Sequence, residues 1–291
     1  MVLSRATISR PVKRLAQRLP WFLAVALMCV VGQSCAARAA DPVALLGATP
    51  VETFALAGGG RLLVWRIEDR AGAARPLELV AAVVPGGAAG WRLLPVDASG
   101  PRAALLRSLD CPGAAVLTSG GFFAARDGGG YAPLGLAVGD GVALSPYAPR
   151  RWGGVLERRG DQSTIVPLAN LDGAGFRDQA LQSSPIIVAE GRNDMLRDDG
   201  QLDNRVAIGL DDAGGVVAVG AFRDGGGAVS LHTLAELILA LGPVAGLEIR
   251  DALALDGGSS AELLVPDRGL AWGSQLPGYM PNALCLVAGT S

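Results

Sequence analysis

The stretch "ALALDGGSSAELLV", residues 252–265, reads as a short apolar strand, a carboxylate at its end, a two-glycine turn, two serines and a second apolar strand. Glycine permits positive φ and lets backbone or ligand approach closely. The Asp-Gly-Gly string recurs in "RDGGGY" at Asp127 and in "RDGGGA" at Asp224. Those two copies have polar or small neighbours on both sides and read as loops. Asp256 alone follows a buried strand directly. A carboxylate there, beside backbone amides and the hydroxyls of Ser259 and Ser260, can act on a ligand carrying an oxyanion or a leaving oxygen. The same residues also suit a tight hairpin whose turn is capped by Asp.

Three other segments offer related groups. "AAVLTSGGFFAA" runs an apolar strand into Ser119, Gly120 and Gly121, followed by Phe122 and Phe123. The two rings suit a sugar platform and equally suit the core. "ALQSSPIIVAEG" places Gln182, Ser183 and Ser184 before a proline and a strand. "DNRVAIGL" puts Arg205 at the head of a strand, where a guanidinium can clamp phosphate or carboxylate or make a surface ion pair.

Strand signals dominate the remainder. "RLLVWRI", "GWRLLPVDA" and "STIVPLANL" read as strands, and "RVAIGLDDAGGVVAVGAF" as two strands joined by a hairpin turn. "APLGLAVGDGVAL" reads as a hairpin with "GDG" at its tip. Residues 102–109 have helical spacing. The best helix covers 230–241, with Ser230 as its cap, an apolar stripe of Leu231, Leu234, Leu237, Ile238 and Leu241, and Gly242-Pro243 as its stop. With no regular alternation of strand and helix, the expected class is α+β: a mixed, mainly antiparallel sheet with a few packing helices.

The chain has 291 residues, of which half are hydrophobic, so a large core is available. Its formal net charge of −2 gives no footprint for nucleic acid. The N-terminus is basic without acids, then apolar over "WFLAVALMCVVG", then offers Ala37-Arg38-Ala39 as a cleavage pattern. That run is too short for an ordinary membrane span. Residues 1–40 therefore read as a signal peptide and 41–291 as one mature domain, periplasmic or secreted, with no span left after processing. Cys111 and Cys285 remain after cleavage, and an oxidising compartment permits a disulfide without requiring one. The sole histidine is His232, which removes the usual Cys/His zinc set. It sits in the first turn of the expected helix and reads as exposed or capping.

Taken in order, "SGGFF" (119–123), "PLGLAVGDG" (133–141), "QSSPIIVAEG" (182–191), "RVAIG" (205–209), "TLAEL" (233–237) and "LALDGGSS" (253–260) resemble the phosphodiester glycosidase family. The resemblance runs from about residue 81 to the C-terminus. It implies hydrolysis of the glycosidic C1–O bond of a sugar-1-phosphodiester, with release of a phosphomonoester. On that reading Asp256 is nucleophile or general base and Arg205 holds the phosphate. The amides of Gly120, Gly121, Gly257 and Gly258 assist, and Ser119, Phe122, Gln182, Ser259 and Ser260 contact substrate. No cofactor is implied, although carboxylates leave a divalent cation open. Glu262 lies an even number of residues past Asp256 and is taken as a solvated strand residue. Two positions depart from the family pattern: Ser119 stands where the family has asparagine, and Ala254 where it has a polar residue. A non-catalytic envelope protein that binds glycans or phosphorylated polymers is the other reading.

Overall fold

The computed structural model describes residue 46 and residues 50–287, apart from 69–74, 86–89, 128, 150–151, 172–174, 176 and 274–276. The expected signal peptide and its cleavage pattern lie outside the described residues.

Strands Arg61–Ile67, Leu77–Val84, Val216–Phe222, Arg205–Asp211 and Ile249–Ala254 pair successively in that order and form the middle of an eight-stranded sheet. Glu52–Ala55 closes one edge, and Ile186–Ala189 with Arg192–Asn193 closes the other. A five-stranded sheet orders Leu270–Gly273, Glu262–Val265, Ala114–Ser119, Pro277–Val287 and Gly90–Pro101. A second five-stranded sheet orders Gln162–Pro167, Gly154–Arg159, Gln179–Ser183, Ala137–Gly139 and Val142–Ser145. Phe123–Ala125 and Tyr131–Pro133 make a small hairpin. The ladders in all four sheets are antiparallel.

Alternation along the strands explains the layering. In "RLLVWRI", Leu62 and Val64 enter one core while Leu63 and Trp65 enter another. The period of two sends successive side chains to opposite faces, so a strand that is apolar throughout must be covered on both sides. The first core lies between the eight-stranded sheet and the two five-stranded sheets and holds Trp91, Leu156, Leu181, Leu253, Leu263 and Leu284. The second lies between the other face of the large sheet and the helix Leu231–Ala245. A third packs the helix Arg102–Arg107 onto Leu117, Leu264 and Ala283.

Ser230 caps the long helix as expected, its hydroxyl accepting from Thr233 N at 3.1 Å. The helix does not stop at Gly242-Pro243. It continues to Ala245 and ends at Gly246, which is left-handed at φ 66 and donates to Gly242 O. An interior proline forfeits a hydrogen bond and crowds the preceding turn. Here Leu241, Gly242 and Ala245 are buried against the sheet and hold the last turn in place. Gly242 also has to be bare, because a Cβ there would sit 2.7 Å from Leu247 O.

Cys111 and Cys285 form a disulfide across a sequence separation of 174 residues. It ties the approach to strand Ala114–Ser119 to the neighbouring strand Pro277–Val287. Closing so long a loop restricts the unfolded chain strongly. Replacing both cysteines with alanine is expected to lower unfolding free energy by about 2–5 kcal/mol, read from urea midpoints without reductant. Equal midpoints for the two proteins would show that the bridge contributes nothing.

Candidate active site

Asp256 stands where strand Ile249–Ala254 leaves the large sheet. Ala254 N donates to Pro185 O at 3.0 Å, and Leu255 N donates to Val206 O at 2.9 Å. Asp256 N then donates to Gly120 O at 3.0 Å. The turn is therefore fixed by three different strand ends, each contributed by one of the segments singled out in the sequence. Ser183 Oγ donates to Ala254 O at 2.6 Å, and Ser119 Oγ lies 3.5 Å from Asp256 O. Ala254 pairs with Ala207, and continuing that register by two residues sets Arg205 opposite Asp256. A Cβ on Gly257 would lie 3.6 Å from the Arg205 guanidinium.

The Asp256 carboxyl is half-buried. Burial pushes its pKa up to about 6, against hydrogen bonds from the Ser260 hydroxyl and the Gly257 amide and the charge of Arg102. Burial also lowers the Arg205 pKa, opposed by the charges of Asp203 and Asp199. Arg205 Nη2 donates to Gln201 O at 3.0 Å, which fixes the side chain along the loop before its strand. Carboxyls shifted by desolvation and set beside specific partners cluster at functional sites.

Several expected contacts are used inside the fold. Gly120 N donates to Asn282 O, Gly121 N to Asn282 Oδ1 and Gly258 N to Asn204 O, at 3.2, 2.8 and 2.8 Å. Gly257 N already serves Asp256. The amide cradle expected for phosphate is thus engaged by protein groups. These glycines serve close approach instead: a Cβ on Gly120 would fall 1.8 Å from Asn282 Oδ1. The Gln182 amide is likewise occupied. Its Oε1 accepts from Leu136 N and Ala148 N, and its Nε2 donates to Ala148 O, so it fastens the 133–148 hairpin. Ser259 is exposed, whereas Ser260 is buried beneath Asp256. Phe122 is half-buried, and Phe123 meets Tyr131 edge-on at 5.3 Å. Tyr131 in turn meets Tyr279 at 4.6 Å. Asp127 and Asp224 are both exposed, in keeping with their loop composition.

Glu262 departs from its expected place on a solvated face. It is completely buried, because its strand lies inside a five-stranded sheet between Ala114–Ser119 and Leu270–Gly273. Near it lies Arg102, only 5 % exposed, whose Nη1 donates to Tyr279 O at 2.6 Å. Sequence reasoning passed over Arg102 and Asn282. An asparagine inside the apolar run "NALCLV" was a legible sign of a buried amide. Arg102 carried no such sign, since an arginine opening a short helix is ordinarily solvated.

On the outer side of the turn a cleft of about 1180 Å3 is lined by Gly258 and Ser259 together with Asn204, Trp272, Arg75 and Asp224. Among the described residues no group of three or more His, Cys, Asp or Glu side chains is placed to hold a metal ion. No described helix is long and apolar enough to cross a membrane.

The shifted carboxyl has a consequence for stability. A carboxyl whose pKa is raised on folding favours the native state below its unfolded value of 3.8, and that contribution is lost as pH rises through about 6. Asp256→Asn removes the loss. The variant is expected to gain on the wild type by about 2 kcal/mol between pH 4 and pH 7.5, measured by urea unfolding at both pH values. A pH-independent difference would contradict the buried carboxyl.

The fold agrees with comparisons to known proteins. The family model described as phosphodiester glycosidase matches residues 112–286. No curated protein matches the sequence. Among solved structures, the chain is similar to the zebrafish N-acetylglucosamine-1-phosphodiester α-N-acetylglucosaminidase catalytic domain, auto-inhibited by its pro-peptide. The TM-score is 0.57 at 16% identity, over 81% of this chain and 87% of that one. It is also similar to a hypothetical protein from Synechocystis, with TM-score 0.54 and 15% identity, over 81% of this chain and 63% of that one. At these identities the structures speak for the fold alone. The family match spans well over half the chain and contains all six motifs in full together with Asp256 and Arg205, so the chain belongs to the phosphodiester glycosidase family.

Proposed function

We propose that the protein is an exported hydrolase that cuts the glycosidic C1–O bond of a sugar-1-phosphodiester. Water supplies a hydroxyl to C1 and a proton to the departing side, and the bridging oxygen leaves on phosphorus as a phosphomonoester. Such a leaving group carries its own negative charge, so it needs electrostatic stabilisation more than strong acid catalysis. The observation that carries this reading is the half-buried Asp256 carboxyl at a strand end opposite Arg205. Above pH about 6 it is ionised and serves as nucleophile or general base. Arg205 takes the phosphate in a bidentate grip. The aromatic set Phe123, Tyr131 and Tyr279 offers faces for sugar carbons, and the cleft beyond Gly258 and Ser259 offers room for the rest of the substrate. Export is supported by the basic and apolar N-terminus and by the disulfide, which suits an oxidising compartment.

A second reading, non-catalytic binding of glycans or phosphorylated polymers, draws on two observations. Ser119 replaces the family's asparagine, and the glycine amides are engaged internally. A screen of sugar-1-phosphodiesters with small aglycones separates the readings. On the hydrolase reading, Asp256→Asn lowers turnover on the order of a hundred-fold or more, while Asp127→Asn leaves it unchanged. The kcat/KM of the wild type also rises with pH through about 6. Near-normal turnover by Asp256→Asn would overturn the assignment, and absence of turnover by the wild type would favour binding.

Arg205→Lys is expected to lose most activity with little change in melting temperature, because an ammonium cannot reproduce the planar fork. Wild-type activity in that variant would remove Arg205 from phosphate binding.

A further inference from the structure

Four tryptophans lie among the described residues, and the core takes two of them: Trp65 is 2 % exposed and Trp91 0 %. The other two, Trp152 and Trp272, are each followed directly by glycine, in "RWGG" and "AWGS". Both glycines have positive φ, 116 at Gly153 and 112 at Gly273. Neither has space for a side chain. A Cβ on Gly153 would lie 2.5 Å from Ser183 O, and one on Gly273 would lie 2.0 Å from Ala261 O. The bare backbone beside each tryptophan is thus laid against a segment that holds the Asp256 turn. Ser183 Oγ donates to Ala254 O at 2.6 Å ahead of the turn, and Ala261 N donates to Gly258 O at 3.2 Å beyond it. The two tryptophans that the core leaves out therefore flank the candidate site from different sheets.

Their surroundings say what suits them. Trp272 packs against the core that holds Leu263, its cross-strand partner, and lines the cleft beyond Ser259. At about 1180 Å3 that cleft exceeds the about 300–1000 Å3 of a site for a drug-sized molecule. Its charges are mixed: Arg66 pairs with Glu78 at 3.1 Å, and Arg75 with Asp224 at 3.6 Å. A polyanion would meet nearly as many carboxylates as guanidiniums there. An acyl chain would strip water from both kinds of group and return no hydrogen bonds. A sugar ring has C–H faces that suit an indole and edge hydroxyls that both donate and accept. Trp152 is 66 % exposed, but the backbone around it is held. Ala148 N donates to Gln182 Oε1 at 3.1 Å, and Gly153 O accepts from Leu168 N at 3.1 Å. A large aromatic face on a fixed backbone loses little freedom when a ligand stacks on it.

We infer that Trp152 and Trp272 are stacking platforms for saccharide rings on the two flanks of the Asp256 turn, and that the substrate is an oligosaccharide or polysaccharide chain rather than a small sugar phosphate. This deepens the hydrolase reading and rests on it for the phosphodiester at the turn, whereas ring binding is measured without turnover.

The experiment is an NMR titration of the mature protein labelled with 15N-tryptophan, its indole N–H signals assigned from Trp152→Phe and Trp272→Phe. The probes are chitotetraose, cellotetraose and mannotetraose, with a glycerol phosphate oligomer and phospholipid vesicles as contrasts. The Trp152 and Trp272 signals are expected to move saturably with at least one tetraose, while those of Trp65 and Trp91 stay. Trp152→Ala and Trp272→Ala are each expected to weaken that binding about ten-fold. If Trp272→Ala does not fold, Trp272→Leu keeps apolar volume for the core while removing the flat face, and the wild-type shifts stand without any variant. Signals unmoved by every tetraose would overturn the inference. So would movement of only one of the two, or equal movement with the glycerol phosphate oligomer or the vesicles. Saturable shifts in a protein that turns over no sugar phosphodiester would uphold the platforms and reject the hydrolase reading. Turnover with indoles that no saccharide moves would reject the platforms alone.

Discussion

Gly120 has no room for a side chain, and much of the site depends on that. Its N–H is bonded to Asn282 O, its carbonyl accepts from Asp256 N, and the Asn282 amide fills the space a Cβ would need. Through this one residue the five-stranded sheet carrying Ala114–Ser119 and Pro277–Val287 meets the end of strand Ile249–Ala254 in the large sheet. Any side chain at 120 would force the sheets apart at the point where the Asp256 turn begins. The requirement is steric and local, but its result is global: it sets where two sheets join and aims a carboxyl at the junction.

The junction explains the chemistry of Asp256. A carboxyl between two sheets is partly stripped of water, which disfavours its anion. Ser260, the Gly257 amide and Arg102 restore only part of that loss, and the pKa settles near 6. Asp127, by contrast, lies in an exposed loop. The same burial acts on Arg102 and Arg205, whose charged forms are disfavoured by their surroundings and answered by nearby carboxylates. The site is therefore a set of mutually dependent charges, held by sheets whose apolar cores supply the stability that the charges do not.

The resemblance of ordered motifs to a known family was legible without coordinates, as were the antiparallel class, the Ser230 cap and the hairpin at 211–215. Each of these rests on local chemistry: turn residues, period-two alternation and a hydroxyl at a helix start. The stop of the long helix was misread, because Gly242-Pro243 is a local signal and the buried face of Leu241 and Ala245 is not. Glu262 was misread for a similar reason. Offset along a strand tells which face a residue shares, but not whether another strand covers that face.

The sequence by itself determined which residues stand at strand ends: Asp256 after "ALAL", Ser119 and Gly120 after "AAVLT", Arg205 before "VAIG". It could do so because hydrophobic runs and glycine turns are short-range features. Only the tertiary structure decided which ends meet. It joined residues 185, 206 and 120 to residues 254, 255 and 256 by backbone hydrogen bonds and closed a disulfide over 174 residues. It engaged the Gln182 amide and the glycine N–H groups within the fold, and it brought Arg102 from outside the matched motifs into the charge field of Asp256. The physical reason is that desolvation depends on what covers a group, and coverage comes from segments far away in the chain.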